Sequence, residues 1–198
     1  MSEIFLLSDD HYFHANIIRY CNRPWKDVNE MNVEMERRHN FVITPDDIWI
    51  CVGDLTAGVG DRKNELAMLI KRLNGKKVLV RGNHDHQKDD FYLNSGFTRV
   101  VDHLFYAGVL FSHVPGVLGV EHPHPMAQIT IDYQKKYNPV LTIHGHEHRT
   151  GTPEHVNHFN CAADRHDFMP FTLCSVMDKC NLSEHTDSLY QAIQSDLA

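Results

Sequence analysis

Asp9 and His11, Asp54, Asn83, His113, and the pair His146 and His148 are the residue types from which a divalent metal site is built. Each stands at the end of a short apolar run. Two-metal hydrolysis needs carboxylates and imidazoles projected from several rigid elements, one ligand able to bridge both ions, and an open position for water. Asp9 and His11 are two residues apart, so an extended segment would turn both to one side. Asp54 follows Gly53, which lets the backbone turn tightly, and its carboxylate can bridge. Asn83, behind Gly82, adds a neutral oxygen, and the three later histidines add imidazole nitrogen.

The elements that must position these groups are the apolar runs themselves. Residues 4–7, 48–52, 78–80, 109–111 and 140–143 are β-branched or aromatic stretches that read as buried strands. In open α/β sheets ligands bind beyond the carboxyl ends of strands, so five such endings can converge on one pocket. Helices are expected over 29–42, from an Asn or Asp cap, and over 61–73, closed by Asn74-Gly75. A capped, weakly amphipathic helix is expected over 183–197. Residues 98–111 read as adjacent strands, which makes the sheets mixed. Residues 114–138, with Pro115, Gly116, Gly119 and His122-Pro123-His124-Pro125, read as a long loop with a short helix near 131–137. Lying between two ligand motifs, it is a candidate lid. No repeat or linker divides the chain, which we read as one domain over residues 1–198.

Composition fits one soluble globular domain of 198 residues, with 42% apolar and 23% charged side chains. Sixteen histidines, nearly as many as the 19 Lys and Arg together, point to metal or proton chemistry. The formal charge of −7 weighs against binding long duplex nucleic acid but allows a small phosphate ester held by a metal. Five cysteines, an odd number with no C-x-x-C, favour reduced thiols and a cytoplasmic setting. The four apolar residues after Met1-Ser2-Glu3 are too few for a signal peptide or membrane span.

Taken in order, Asp9-x-His11, Gly53-Asp54, Gly82-Asn83-His84-Asp85, His113 and Gly145-His146-x-His148 resemble the signature of the calcineurin-like metallophosphoesterases. The longer context, from Asp9 to Ile18 with Cys21-Asn22-Arg23-Pro24, is similar to a small bacterial and phage branch of that superfamily, and residues 157–173 resemble its closing strands. The resemblance implies an α/β sandwich, two facing mixed β-sheets flanked by helices. It implies two divalent ions, the first held by Asp9, His11, Asp54 and His148 and the second by Asp54, Asn83, His113 and His146. The ions would stand roughly 3.5–4 Å apart, with a bridging hydroxide as nucleophile. His84 would donate a proton or hydrogen bond to the phosphoryl or leaving oxygen. Four imidazoles with two carboxylates and an amide suit Mn²⁺, Fe, Zn²⁺ or Ni²⁺ better than Mg²⁺, and Mn²⁺ is the first expectation.

Two departures from the protein serine/threonine phosphatases stand out. The second motif continues as Leu55-Thr56-Ala57-Gly58 where those enzymes carry the acid that orients the catalytic histidine, and the third ends in Asp85 rather than Glu. Asp85, another carboxylate or the substrate must then orient His84. His14, Asn16, Arg19 and Arg23 are candidate contacts to a substrate phosphate, or else cap and solvate the first helix. Arg81 is a candidate partner of a core carboxylate. His144 shares a face with His146 if the strand stays extended past 143. The activity implied is phosphoester hydrolysis, first of a phosphodiester. Alternatives are a phosphomonoesterase or nucleotidase on the same site, a single-strand nuclease, which would need a basic groove with aromatics, and a non-catalytic metal-binding scaffold.

Overall fold

The computed structural model describes residues 2–116, 125–148 and 157–197. Strands β1 (Ile4–Leu7), β2 (Ile48–Cys51), β3 (Lys76–Val80) and β4 (Phe97–Val101) form a parallel set. A second sheet contains β5 (His103–Tyr106), β6 (Val109–Ser112), β7 (Leu141–His144) and β8 (His158–Asn160), antiparallel between β5 and β6 and parallel thereafter. The short β9 (Phe171–Thr172) returns to pair antiparallel with β1, so both sheets are mixed, in the orders β4-β3-β2-β1-β9 and β5-β6-β7-β8.

The strand residues alternate between two cores, as the period of two requires. Ile4, Leu6, Ile48, Ile50, Val52, Val78 and Val80 face Leu104, Val109, Phe111, Leu141, Ile143 and Phe159 of the other sheet. Phe5, Leu7, Trp49, Cys51 and Leu79 face the opposite way. With both faces covered, β1 and β2 are buried at every position, which is why the sequence runs are continuously apolar. Each large aliphatic or aromatic side chain withdrawn from water contributes about 1.5–3 kcal/mol to holding the layers together.

Helices supply the outer layers: α1 (Ala15–Tyr20), α2 (Val28–Val42), α3 (Lys63–Arg72), α4 (Asp89–Ser95), α5 (Pro125–Tyr137), α6 (Leu173–Lys179) and α7 (Thr186–Asp196). Asp27 caps α2 by accepting the N–H groups of Asn29 and Glu30 at 3.0 and 2.9 Å. One stripe of that helix, Met31, Met35 and His39, is buried, whereas Val33 and Phe41 are exposed, which explains its imperfect apolar pattern. Leu66, Leu69 and Ile70 bury one face of α3 in the same core, and α6 and α7 send Leu173, Val176, Met177, Leu189 and Ile193 into the core between the sheets. The fold is the expected sandwich of two facing mixed sheets flanked by helices. Among the described residues no helix is long and apolar enough to cross a membrane.

Several expectations are corrected. The strands over 97–106 are consecutive in sequence but lie in different sheets; the chain changes sheet at Asp102, and the antiparallel neighbour of β5 is β6. Residues 125–137 are a helix of 13 residues rather than mostly loop, with Ala127, Thr130 and Ile131 turned inward. Residues 117–124 of the candidate lid, with His122 and His124, lie outside the described residues. The C-terminal helix begins at Thr186 after a 3-10 turn at Ser183–His185, and His185 makes no side-chain cap bond.

Candidate metal centre

The five strand endings do converge. The backbone after β1 does not stay extended: Asp9 and His11 take φ of 61° and 53°, and Asp54 and His146 take 53° and 70°. Positive φ in non-glycine residues is costly and persists only when neighbouring structure enforces it. Here the loop after β1 continues to pair beside the loop after β2. Asp9 N–H donates to Gly53 O at 2.9 Å, His11 N–H to Asp54 O at 3.0 Å and Tyr12 N–H to Leu55 O at 2.9 Å. Asp9 and His11 thus reach a common centre through left-handed backbone, not through the shared strand face expected above. For the same reason His144 and His146 do not share a strand face. His144 is buried at the end of β7 with its ring 5.5 Å from that of His158.

Close approach of backbones makes glycine necessary at two of the motifs. A Cβ on Gly82 would lie 2.1 Å from Asp54 Oδ1, and one on Gly145 would lie 1.9 Å from Ser8 Oγ and 2.3 Å from Asp9 Oδ2. Without side chains at these positions, the loops after β3 and β7 close onto the two carboxylates.

Of the three groups of ligand-type atoms among the described residues, two meet here, Asp9 with His11 and His148, and Asp54 with His113 and His146, each with its atoms within 4.8 Å of one another. Asp54 Oδ2 lies between them, 3.3 Å from His113 Nε2 and 3.5 Å from His11 Nε2. Asn83 Oδ1 is 3.1 Å from His113 Nε2, and His148 Nε2 is 3.3 Å from Asp9 Oδ1. Asp9, His11, Asp54 and His113 are each at most 1% exposed. Asp9 Oδ1 is buried without a hydrogen-bond partner, facing the histidines, while its Oδ2 accepts from Ser8 Oγ at 2.7 Å and His146 N–H at 2.9 Å. An unsatisfied buried carboxylate oxygen is expensive unless a cation meets it, so this donor set fits divalent metal.

The electrostatics agree. Burial opposes the ionised form of Asp54, but His113 and then His11 outweigh it and hold the carboxyl below its usual range. Burial pushes the Asp9 carboxyl up against the pull of His113 and His148. Burial also opposes protonation of His113 and His148. In His113 the Asp54 and Asp9 carboxylates override it, raising the imidazole to about 9, and in His148 the Asp164 hydrogen bond raises it to about 10. These buried acids demand positive charge at their centre.

His84 stands at the open edge, its side chain 41% exposed and its Nε2 3.9 Å from Asp54 Oδ2. Its backbone N–H donates to Asp54 Oδ1 at 2.8 Å. Asp85 does not orient it. Asp85 Oδ2 accepts instead from Asp54 N–H and Gly82 N–H, and burial, reinforced by Asp54, pushes its carboxyl up to about 7. His14 enters the site, its Nδ1 3.3 Å from His11 Nδ1. A pocket of about 740 Å³ opens here, lined by His11, His14, Tyr20, His84, Glu147 and His148 among others. Asn16 and Arg19 are exposed and outside that lining, with the Arg19 guanidinium 5.3 Å from the Tyr20 ring. Arg23, an expected phosphate contact, is turned away: it is buried behind the cluster, bonded to Asp164 and to the carbonyls of Asp9 and Asp10. Arg81 braces the loop after β3 through the carbonyls of Asp85 and Gln87 and pairs with exposed Asp89 rather than a core acid. Asp164 and Ser8 support the centre and were not read from the sequence. The signal for Asp164 is a buried small-residue run, Cys161-Ala162-Ala163, ending in an acid as the strand runs do.

Fold and site together define an α/β sandwich of two mixed sheets with metal-ligand residue types gathered beyond its strand ends. The chain belongs to the same family as the uncharacterized protein MJ1445 of Methanocaldococcus jannaschii, to which it is 33% identical over 155 residues, 78% of this chain and 74% of that one. Among solved structures, the protein of unknown function AQ665 from Aquifex aeolicus matches with a TM-score of 0.72 and 27% identity, covering 90% of this chain and 99% of that one. A weaker similarity, with a TM-score of 0.46 and 19% identity over 73% of this chain and 61% of the other, is to the Pseudomonas putida nuclease MPE. No family model matches the chain.

Proposed function

We propose that the protein is a dinuclear metal-dependent phosphoester hydrolase, acting first on small phosphodiesters. The observation that carries this reading is the shared Asp54 Oδ2, within 3.5 Å of a histidine nitrogen from each ligand group. Asp9, His11, Asp54 and His148 would hold one ion, and Asp54, Asn83, His113 and His146 the other. Two divalent ions there would neutralise phosphoryl oxygens and supply ionised water near neutral pH. Imidazole-rich donors favour Mn²⁺, Fe, Zn²⁺ or Ni²⁺, and we expect Mn²⁺ to activate.

The residues lining the pocket support this division of labour. Among the described ones none is Lys or Arg, so a bound phosphate depends on the centre itself for positive charge. That also weighs against a single-strand nuclease with a basic groove. His84, exposed beside Asp54, would give a proton to a leaving oxygen, and His14, in the pocket lining, would contact a phosphoryl oxygen.

The test is hydrolysis of a generic phosphodiester, a generic phosphomonoester, nucleotides and single-stranded DNA by metal-stripped protein resupplied with Mn²⁺, Zn²⁺, Ni²⁺ or Mg²⁺. Turnover of the diester with Mn²⁺ supports the reading. Bound metal with no turnover of any substrate contradicts it and leaves a metal-binding scaffold.

A further inference from the structure

His148 is held by a side chain that lies in none of the five motifs. Its Nδ1 stands 2.6 Å from Asp164 Oδ2, in the 3-10 turn Ala163–Arg165 that follows β8. On the other edge of the ring, Nε2 is 3.3 Å from Asp9 Oδ1 and 3.2 Å from His11 Nε2. A neutral imidazole carries one N–H, and a carboxylate against Nδ1 draws the proton there, leaving the Nε2 lone pair aimed at Asp9 and His11.

Asp164 is fixed in turn. Arg23 Nε donates to its Oδ1 at 2.9 Å and Arg23 Nη2 to its Oδ2 at 2.8 Å, a bidentate pair whose side chains are 0% and 6% exposed. The same guanidinium donates to the carbonyls of Asp9 at 2.7 Å and Asp10 at 2.8 Å. One buried arginine therefore ties the turn carrying Asp164 to the backbone carrying Asp9, and so fixes His148 relative to its fellow ligands.

We propose that Asp164, oriented by Arg23, is the positioning residue that sets the His148 tautomer and holds Nε2 as a ligand atom beside Asp9 and His11. The proposal rests on reading that group as one half of a two-ion centre. Cys21 forms a further ligand-type group with His148 and Asp164. Asp164 Oδ2 already accepts from both Arg23 and His148, however, and the adjacent guanidinium charge repels a cation. This trio therefore supports His148 and does not hold an ion of its own.

Two measurements test the proposal. In the Zn²⁺-loaded wild-type protein with ¹⁵N-labelled histidine, long-range ¹H–¹⁵N spectra should show His148 with a protonated Nδ1 and a proton-free Nε2; a protonated Nε2 overturns the proposal without any variant. In calorimetric titration with Mn²⁺, Asp164→Asn should weaken one of the two sites about 10–100-fold and leave the other as in wild type. Unchanged affinities, or equal weakening of both sites as general loosening would give, overturn it while the two-ion reading stands. Wild-type protein that takes up no Mn²⁺ defeats the two-ion reading itself, and the proposal with it.

Discussion

Asp54 and Asp85 are joined by a hydrogen bond of 2.8 Å from the backbone N–H of the first to the carboxylate Oδ2 of the second. The same oxygen takes the Gly82 N–H at 2.9 Å. The last residue of the third motif thus holds the backbone of the proposed bridging ligand and of the loop that carries Asn83 and His84. Asp85→Ala strands two buried N–H donors and should lower stability by about 3 kcal/mol in urea denaturation. Asp85→Asn, which keeps an acceptor oxygen, should recover most of that loss.

His84 touches the centre from outside the ligand groups, so its loss separates chemistry from metal binding. His84→Ala should retain two Mn²⁺ per chain by elemental analysis and lower kcat about 10²–10⁴-fold on the diester. Loss of an ion in that variant would make His84 a ligand instead.

Gly145 is a packing requirement of the first ligand group. A methyl there would stand 1.9 Å from Ser8 Oγ and 2.3 Å from Asp9 Oδ2, and overpacking of this kind costs about 1–3 kcal/mol. Gly145→Ala should therefore lower thermal stability and weaken Mn²⁺ binding together, read by a thermal melt and a metal titration on the same preparation.

Away from the centre, His39 links stability to pH. It is 2% exposed, its ring packs on Trp49, and burial pushes its imidazole down to about 4 from 6.5. Between those values the unfolded chain binds the proton and the folded chain does not. The contribution is therefore complete above about 6.5 and is lost as pH falls toward 4, amounting to about 3 kcal/mol. Urea denaturation of metal-free wild type and His39→Gln across this window should differ by that slope, while Asp85, its carboxyl pushed up to about 7, contributes with the opposite sign in both.

The strand runs and their endings were legible because both faces of β1, β2 and β3 are buried, which leaves continuous apolar segments followed by abrupt polar ones. The seven proposed ligand residues follow from that grammar and from the resemblance it carries. What escaped were features set by distant contacts. Helices α1, α4 and α6 span only one or two turns, too short for periodicity to show. Helix α5 starts directly after His122-Pro123-His124, whose turn-like composition masked it. Arg23 looked like a phosphate contact because its type suits one, but the turn at Asp164, far along the chain, claims it. Nor could spacing reveal that Asp9 and His11 reach one centre through positive φ, since pairing with the Gly53 and Asp54 carbonyls enforces that backbone.

The central claim is that two ions share Asp54. Crystals soaked in Mn²⁺ and measured for anomalous scattering at the manganese edge test it directly. The account predicts two anomalous peaks roughly 3.5–4 Å apart, one among Asp9, His11 and His148, the other among Asn83, His113 and His146, with Asp54 coordinating both. A single peak, or two peaks of which only one touches Asp54, would contradict it.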